Sequence, residues 1–308
     1  MGTQNTGSMK RSRRKKARRR RMIVRIKLAT FVIIAICGIN FLVKSIKHHT
    51  LDRGNTTWAD VMDREQYVDK EESSITAPIL MDNDEIKSKL NKLAAEDEAY
   101  KEISENYSEY PKELLASLCN NPEMLSFVQG YLDSEPEAAG GFTQEELEED
   151  FPLFTQWDRR WGYVPYGDSC IALSGCAPTC ISMVSYALTK NETVTPDKVA
   201  EYAQENGYYK PGTGTAWSLM TDGCRAFGIT GREVSLDKGA VFSHLENNEP
   251  VICSMRPGDF TTQGHFIVLT AVVDGKVAVH DPNSIARSQV LWDWSLLEPQ
   301  IKNLWAFS

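Results

Sequence analysis

Gly264-His265-Phe266-Ile267-Val268-Leu269-Thr270-Ala271-Val272-Val273-Asp274-Gly275-Lys276-Val277-Ala278-Val279-His280-Asp281 decides the fold. Two runs rich in Val and Ile flank Asp274-Gly275, a dipeptide suited to reversing a strand. Residues 250–255 form a third run of the same texture. Both faces of the hairpin are apolar, so it belongs in the middle of a sheet, and its polar ends, His265 and Asp281, emerge together. Whether they meet depends on register. A two-residue turn pairs Val273 with Lys276 and sends His265 and Asp281 to opposite faces. A three-residue loop over 273–275, with Gly275 in the left-handed region, pairs Val272 with Lys276 and sets Asp281 opposite Ile267, diagonal to His265. A His–Asp pair requires the longer loop. Ile267, Leu269, Ala271, Val277 and Val279 then share the face of His265, and Phe266, Val268, Val272 and Ala278 line the other, with His280.

Upstream, Gly175-Cys176-Ala177-Pro178-Thr179 leads into a helical pattern over about 178–188. A cysteine at a helix start meets unpaired N–H groups and the positive end of the helix dipole, which favour a thiolate. Cys176 is therefore the candidate nucleophile and His265 its candidate base. Asp281 would orient the ring. Further helices are expected over 196–206, closed by Gly207, over 217–227, closed by Gly228, and over 237–247. Gln156 could donate its side-chain amide to a developing oxyanion beside the Cys176 N–H. Trp157, Asp158 and Trp161 read as packing and loop residues. Arg256, Asp259 and Gln263, in the loop before His265, are candidates for touching substrate. Trp292 and Trp294 suggest an edge strand or loop.

Four motifs in order, Gln156 to Gly162 (Gln-x-Asp-x-x-Trp-Gly), Gly175 to Thr179, Gly264 to Leu269 and Asp281 to Ser284 (Asp-Pro-Asn-Ser), resemble the C-39-like cysteine peptidases. These are papain-fold relatives of the enzymes that clip double-glycine leaders. The resemblance covers residues 151–308. It implies an α+β papain-like fold, with helices packed on an antiparallel sheet. It also implies peptide-bond hydrolysis by Cys176, His265 and Asp281, with Gln156 as oxyanion donor. One departure stands out: the leader peptidases carry this Gln close before the Cys, whereas here the two lie 20 positions apart. The same groups would serve an amidase or transferase acting on cell-wall peptides, or survive in a non-catalytic binding module.

The rest of the chain divides by charge. Residues 1–50 carry a net +14, residues 51–150 a net −18 and residues 151–308 a net −4. Residues 1–21 read as a basic cytoplasmic tail, and 22–43 as a transmembrane signal-anchor, its apolar stretch extended by snorkelling Arg25 and Lys27. The positive-inside rule puts the chain beyond residue 43 outside a plasma membrane crossed once. The basic block then needs no nucleic acid, and the expected partners are the membrane and a peptide or protein substrate. Residues 44–82 read as a linker. Residues 83–150 read as an acidic helical stalk or subdomain, with helices over 84–107, 112–119 and 122–132. Asn121-Pro122 is a helix-start signature. The seven cysteines are too irregular for a disulfide scaffold. Cys170, Cys176 and Cys180 lack zinc-ligand spacing, and Gly212-Thr213-Gly214-Thr215 lacks the Lys of a phosphate loop, so no metal or cofactor is implied.

Overall fold

The computed structural model describes residues 56–62 and 64–308. The expected tail and span, 1–21 and 22–43, lie outside them; among the described residues no helix is long and apolar enough to cross a membrane. The described main-sheet strands are β1 Val68–Asp69, β2 Gly231–Glu233, β3 Val251–Met255, β4 His265–Val273, β5 Lys276–His280, β6 Val290–Trp292 and β7 Ile301–Phe307. They lie in the order β1-β6-β5-β4-β3-β7-β2. All pairs are antiparallel except β1 with β6.

The apolar hairpin is central, as its two-sided pattern requires. Ile252, Phe266, Val268 and Trp305 pack on one face with the helix Cys176–Thr189. That helix is buried almost all round, from Ala177 to Ala187. On the opposite face Cys253, Met255, Ile267, Leu269, Val277 and Val279 pack with Val241 and Leu245 of the helix Lys238–Glu246, and with Trp292 and Trp294. The result is a mixed α+β architecture around an antiparallel-dominated sheet, compatible with a papain-like fold. Trp292 ends β6, next to the edge strand β1, and Trp294 begins the helix Trp294–Leu297 rather than lying in a strand or loop; both are buried.

The hairpin register corrects the expectation of a three-residue loop. Val273 pairs with Lys276, leaving Asp274-Gly275 as a two-residue turn. Both take positive φ, 52° and 76°, as a type I′ turn requires. The residue that realigns the strands is Thr270. Leu269 pairs with Val279 and Ala271 with Ala278, so Thr270 is bulged out between them. Val268 then faces His280, and one step further Asp281 comes level with Ile267, on the side of His265. The expected partnership survives by a different device. Beyond the bulge the faces exchange: Ala271 joins Ala278 and Leu291, while Val272 packs with Val277.

The helical region before the sheet is shorter-jointed than its pattern suggests. Asp82 and Glu85 form a capping box that starts the helix Asn83–Glu96, burying Ile86 and Leu90. It ends at Asp97, short of the expected 107, and a 3-10 turn precedes the helix Lys101–Glu105. Lys112–Asn120 is one helix, whereas 122–132 resolves into a 3-10 turn and the helix Leu125–Gln129. Similarly, 217–227 is a short helix, Ser218–Thr221, followed by a 3-10 turn. Part of the expected linker is built into the sheet: Val68 pairs with Val290, and Lys276 Nζ lies 3.1 Å from Glu71 and 3.5 Å from Asp69. The strand Ile301–Phe307 was not expected, yet it sits between β3 and β2.

Gly275→Val should destabilise the unit by about 1–2 kcal/mol, because a β-branched residue is forced into the left-handed region. A urea midpoint indistinguishable from wild type would contradict the I′ turn.

Candidate active site

Cys176 is the first residue of its helix. The short helix Ile171–Ser174 precedes it, and Gly175 makes the joint. A Cβ on Gly175 would stand 2.5 Å from Ile171 Cγ2 and 2.6 Å from its carbonyl oxygen, so only glycine permits this turn. Thr179 closes it by donating both its N–H and its hydroxyl to the Gly175 carbonyl, at 3.0 and 2.8 Å. Among the six described cysteines, all free thiols, Cys176 alone is not buried. Burial pushes the thiols of Cys170, Cys180, Cys224 and Cys253 up, and that of Cys119 to about 11. These five sit where a thiolate is costly.

His265, 7 % exposed, opens β4 opposite Met255. Its Nε2 lies 2.6 Å from Oδ1 of Asp281, which is 0 % exposed. Burial disfavours a charged ring, but the Asp281 carboxylate, with Cys176 adding to it, outweighs that and raises the imidazole to about 9. Nε2 therefore donates to Asp281, which leaves Nδ1 as the ring nitrogen not bonded to the carboxylate.

Sequence reasoning missed Arg287. It is 5 % exposed, on the short helix Ile285–Ser288, and its Nε donates to Asp281 Oδ2 at 2.5 Å. Burial alone would push the Asp281 carboxyl up. Arg287 and His265 instead bring it down to about 2. The carboxylate also accepts the Asn283 N–H at 2.8 Å, and the Asp281 N–H donates to Ser288 Oγ at 2.9 Å. Only the run of polar residues after Asp281 hinted at this cluster.

Gln156 is buried and ties together the segments around the site. Its N–H donates to the Pro282 carbonyl and its Nε2 to the Ala172 carbonyl, both at 2.7 Å. One hydrogen of Nε2 remains for another acceptor, while Oε1 has no partner. Trp157 and Trp161 act as packing residues, their indole N–H groups held by the Asn283 and Thr155 carbonyls at 3.0 and 2.8 Å. Asp158 binds Arg160 at 2.7 Å. In the loop before β4, Arg256 Nε donates to the Ile301 carbonyl at 3.4 Å and Asp259 accepts from Gln300 at 2.8 Å, so both organise that loop. Gly214-Thr215 forms a small ribbon with Tyr209-Lys210, and Thr215 Oγ1 lies 2.7 Å from the Tyr166 hydroxyl. His280 lies away from the pair. Burial lowers its imidazole to about 4, so it stays neutral, with its ring 5.2 Å from that of Phe151.

A half-open thiol at a helix start, a histidine opening a central strand, and an antiparallel-dominated sheet packed on that helix fit a papain-like fold. The chain belongs to the Peptidase_C39 like family, whose model matches residues 148–306. No curated protein matches the chain.

Arg287→Met should cost about 3–5 kcal/mol, because it strands the Asp281 carboxylate without a counter-charge. The depressed carboxyl contributes stability that is present above its ordinary range near 3.8 and lost as pH falls through about 2. In the variant the folded-state value rises, so acid unfolding followed by circular dichroism should begin at higher pH. An unchanged acid midpoint would contradict the ion pair.

Proposed function

We propose that this protein is a membrane-anchored cysteine peptidase whose catalytic domain faces outward, with Cys176 as nucleophile, His265 as base, Asp281 as orienting carboxylate and Gln156 as oxyanion donor. The observation that carries the reading is the contrast among thiols. Among the described cysteines, the one that is not buried heads a helix and acts on the charge of a histidine whose far nitrogen is held by a buried carboxylate. The anchor rests on the charge-free apolar stretch 28–43, on the basic block before it, and on the positive-inside rule.

In the working pair the Cys176 proton already rests on His265 Nδ1, which makes the ring the charged partner, and the sulfur attacks the scissile carbonyl carbon as the C=O pair moves onto oxygen. The Cys176 N–H, free of an intrahelical partner in the first turn, and the remaining Nε2 hydrogen of Gln156 hold that oxyanion. When the C–N bond breaks, the imidazolium protonates the leaving amine. A water then gives a proton to His265 and attacks the thioester; the C–S bond breaks, the acid departs, and the sulfur and the charged ring are restored as the starting pair. Asp281 keeps Nε2 protonated and the ring aligned throughout, as the carboxylate does in a Ser-His-Asp triad.

Cys176→Ala and His265→Ala should abolish peptide turnover. Gln156→Ala should lower kcat on the order of a hundredfold. A Gln156→Ala enzyme of full activity would remove that residue from the mechanism. The raised imidazole sets the pH dependence. The charged ring, and the stability it contributes, is fully present below about 6.5 and lost as pH rises through about 9. kcat/KM should therefore hold into the alkaline range and fall with an inflection near 9. Decline centred near 6.5 would contradict the His265–Asp281 coupling. Dilute alkylator should label Cys176 ahead of the five buried thiols, and equal labelling would count against an activated nucleophile.

A further inference from the structure

The Asp281–Ser288 segment is gripped from a part of the chain outside the matched family region. Asn121 is buried, and its Nδ2 donates to the Asn283 carbonyl at 2.5 Å. Its Oδ1 accepts the Glu123 N–H at 3.1 Å, which fixes the neighbouring residue. Glu123 in turn spreads its carboxylate across two backbone donors: Oε2 accepts the Ile285 N–H at 2.9 Å and Oε1 the Ala286 N–H at 2.7 Å. These are the first two residues of the four-residue helix that carries Arg287. From the other side Trp157 donates to the same Asn283 carbonyl, and the Gln156 N–H to Pro282.

A helix of four residues cannot hold itself. Ile285, its first residue, is exposed, so apolar burial does not fix it there. Hydrogen bonds to a charged acceptor are the stronger kind, and here they act on the segment whose ends are Asp281 and its partners Arg287 and Ser288. We infer that Asn121 and Glu123 are positioning residues for the active site: the acidic helical region sets the loop that aims Asp281 at His265. This rests on the peptidase reading above. It makes residues 83–132 a working part of the site rather than a spacer.

The test compares Glu123→Ala, Glu123→Gln and Leu118→Ala with wild type in the full-length chain. Each is read by kcat, KM and the pH profile of kcat/KM, with thermal midpoint and near-ultraviolet circular dichroism as checks of folding. Leu118 is fully buried in the helix Lys112–Asn120 and serves as a loss of stability in the same region without a loop contact. Glu123→Ala should lower kcat on the order of tenfold to a hundredfold, as small misplacements of catalytic groups do. KM should stay within about twofold, and the alkaline inflection should move down from about 9 towards the ordinary histidine range. Glu123→Gln, which keeps one carbonyl acceptor, should fall between. A folded Glu123→Ala protein with wild-type kcat and inflection would overturn the inference, as would an equal displacement of the inflection in Leu118→Ala. A wild-type chain with no peptide turnover would instead overturn the peptidase reading, and an active one with no inflection near 9 would overturn the His265–Asp281 coupling; the inference falls with either.

Discussion

The site depends on one buried carboxylate with two cationic neighbours. Asp281 is fully enclosed, and an enclosed anion is costly unless paired and hydrogen-bonded. His265 and Arg287 on its two oxygens, with the Asn283 N–H, meet that requirement. The Arg287 guanidinium beside it, with His265, outweighs the effect of burial and brings the Asp281 carboxyl down to about 2, so the carboxylate stays ionised, and an ionised Asp281 in turn favours a charged His265. The positive charge of the ring is thus favoured by the carboxylate it touches, with Cys176 adding to it.

Placing Asp281 beside His265 is a problem of strand register, and the chain solves it away from the turn. With both faces apolar, a one-residue slip of the hairpin changes which side chains meet without exposing any, so the hydrophobic pattern gives no warning. The type I′ turn at Asp274-Gly275 fixes one end, and by itself it would put the two residues on opposite faces. The bulge at Thr270 restores the alignment. The sheet, the buried helix and the Gly-Cys joint converge on one end of the hairpin for the same reason. Gly175 lets the helix begin at Cys176, and β4 begins at His265.

Much of this was legible in the sequence. Runs rich in Val and Ile marked β3, β4 and β5, the glycine–cysteine–proline cluster marked the helix start, and Asn121-Pro122 marked a cap that the structure keeps. Thr270 was hidden because a single polar residue in an apolar strand looks like any other. Arg287 was hidden because its partner lies across a turn of no periodicity. The strand Ile301–Phe307 was missed because Lys302 and Asn303 interrupt its apolar run. The grip of Asn121 and Glu123 on residues 283–286 spans about 160 positions, and no local pattern reports such a contact.

The most direct measurement is the titration of His265 itself, followed by nitrogen-15 resonance of the imidazole and assigned by comparison with His265→Ala. A ring that keeps both its protons up to about pH 9, bonded through Nε2 to Asp281, is the predicted result. Titration near 6.5 or lower would show a histidine uncoupled from its carboxylate, and would contradict the charge arrangement on which the proposed chemistry rests.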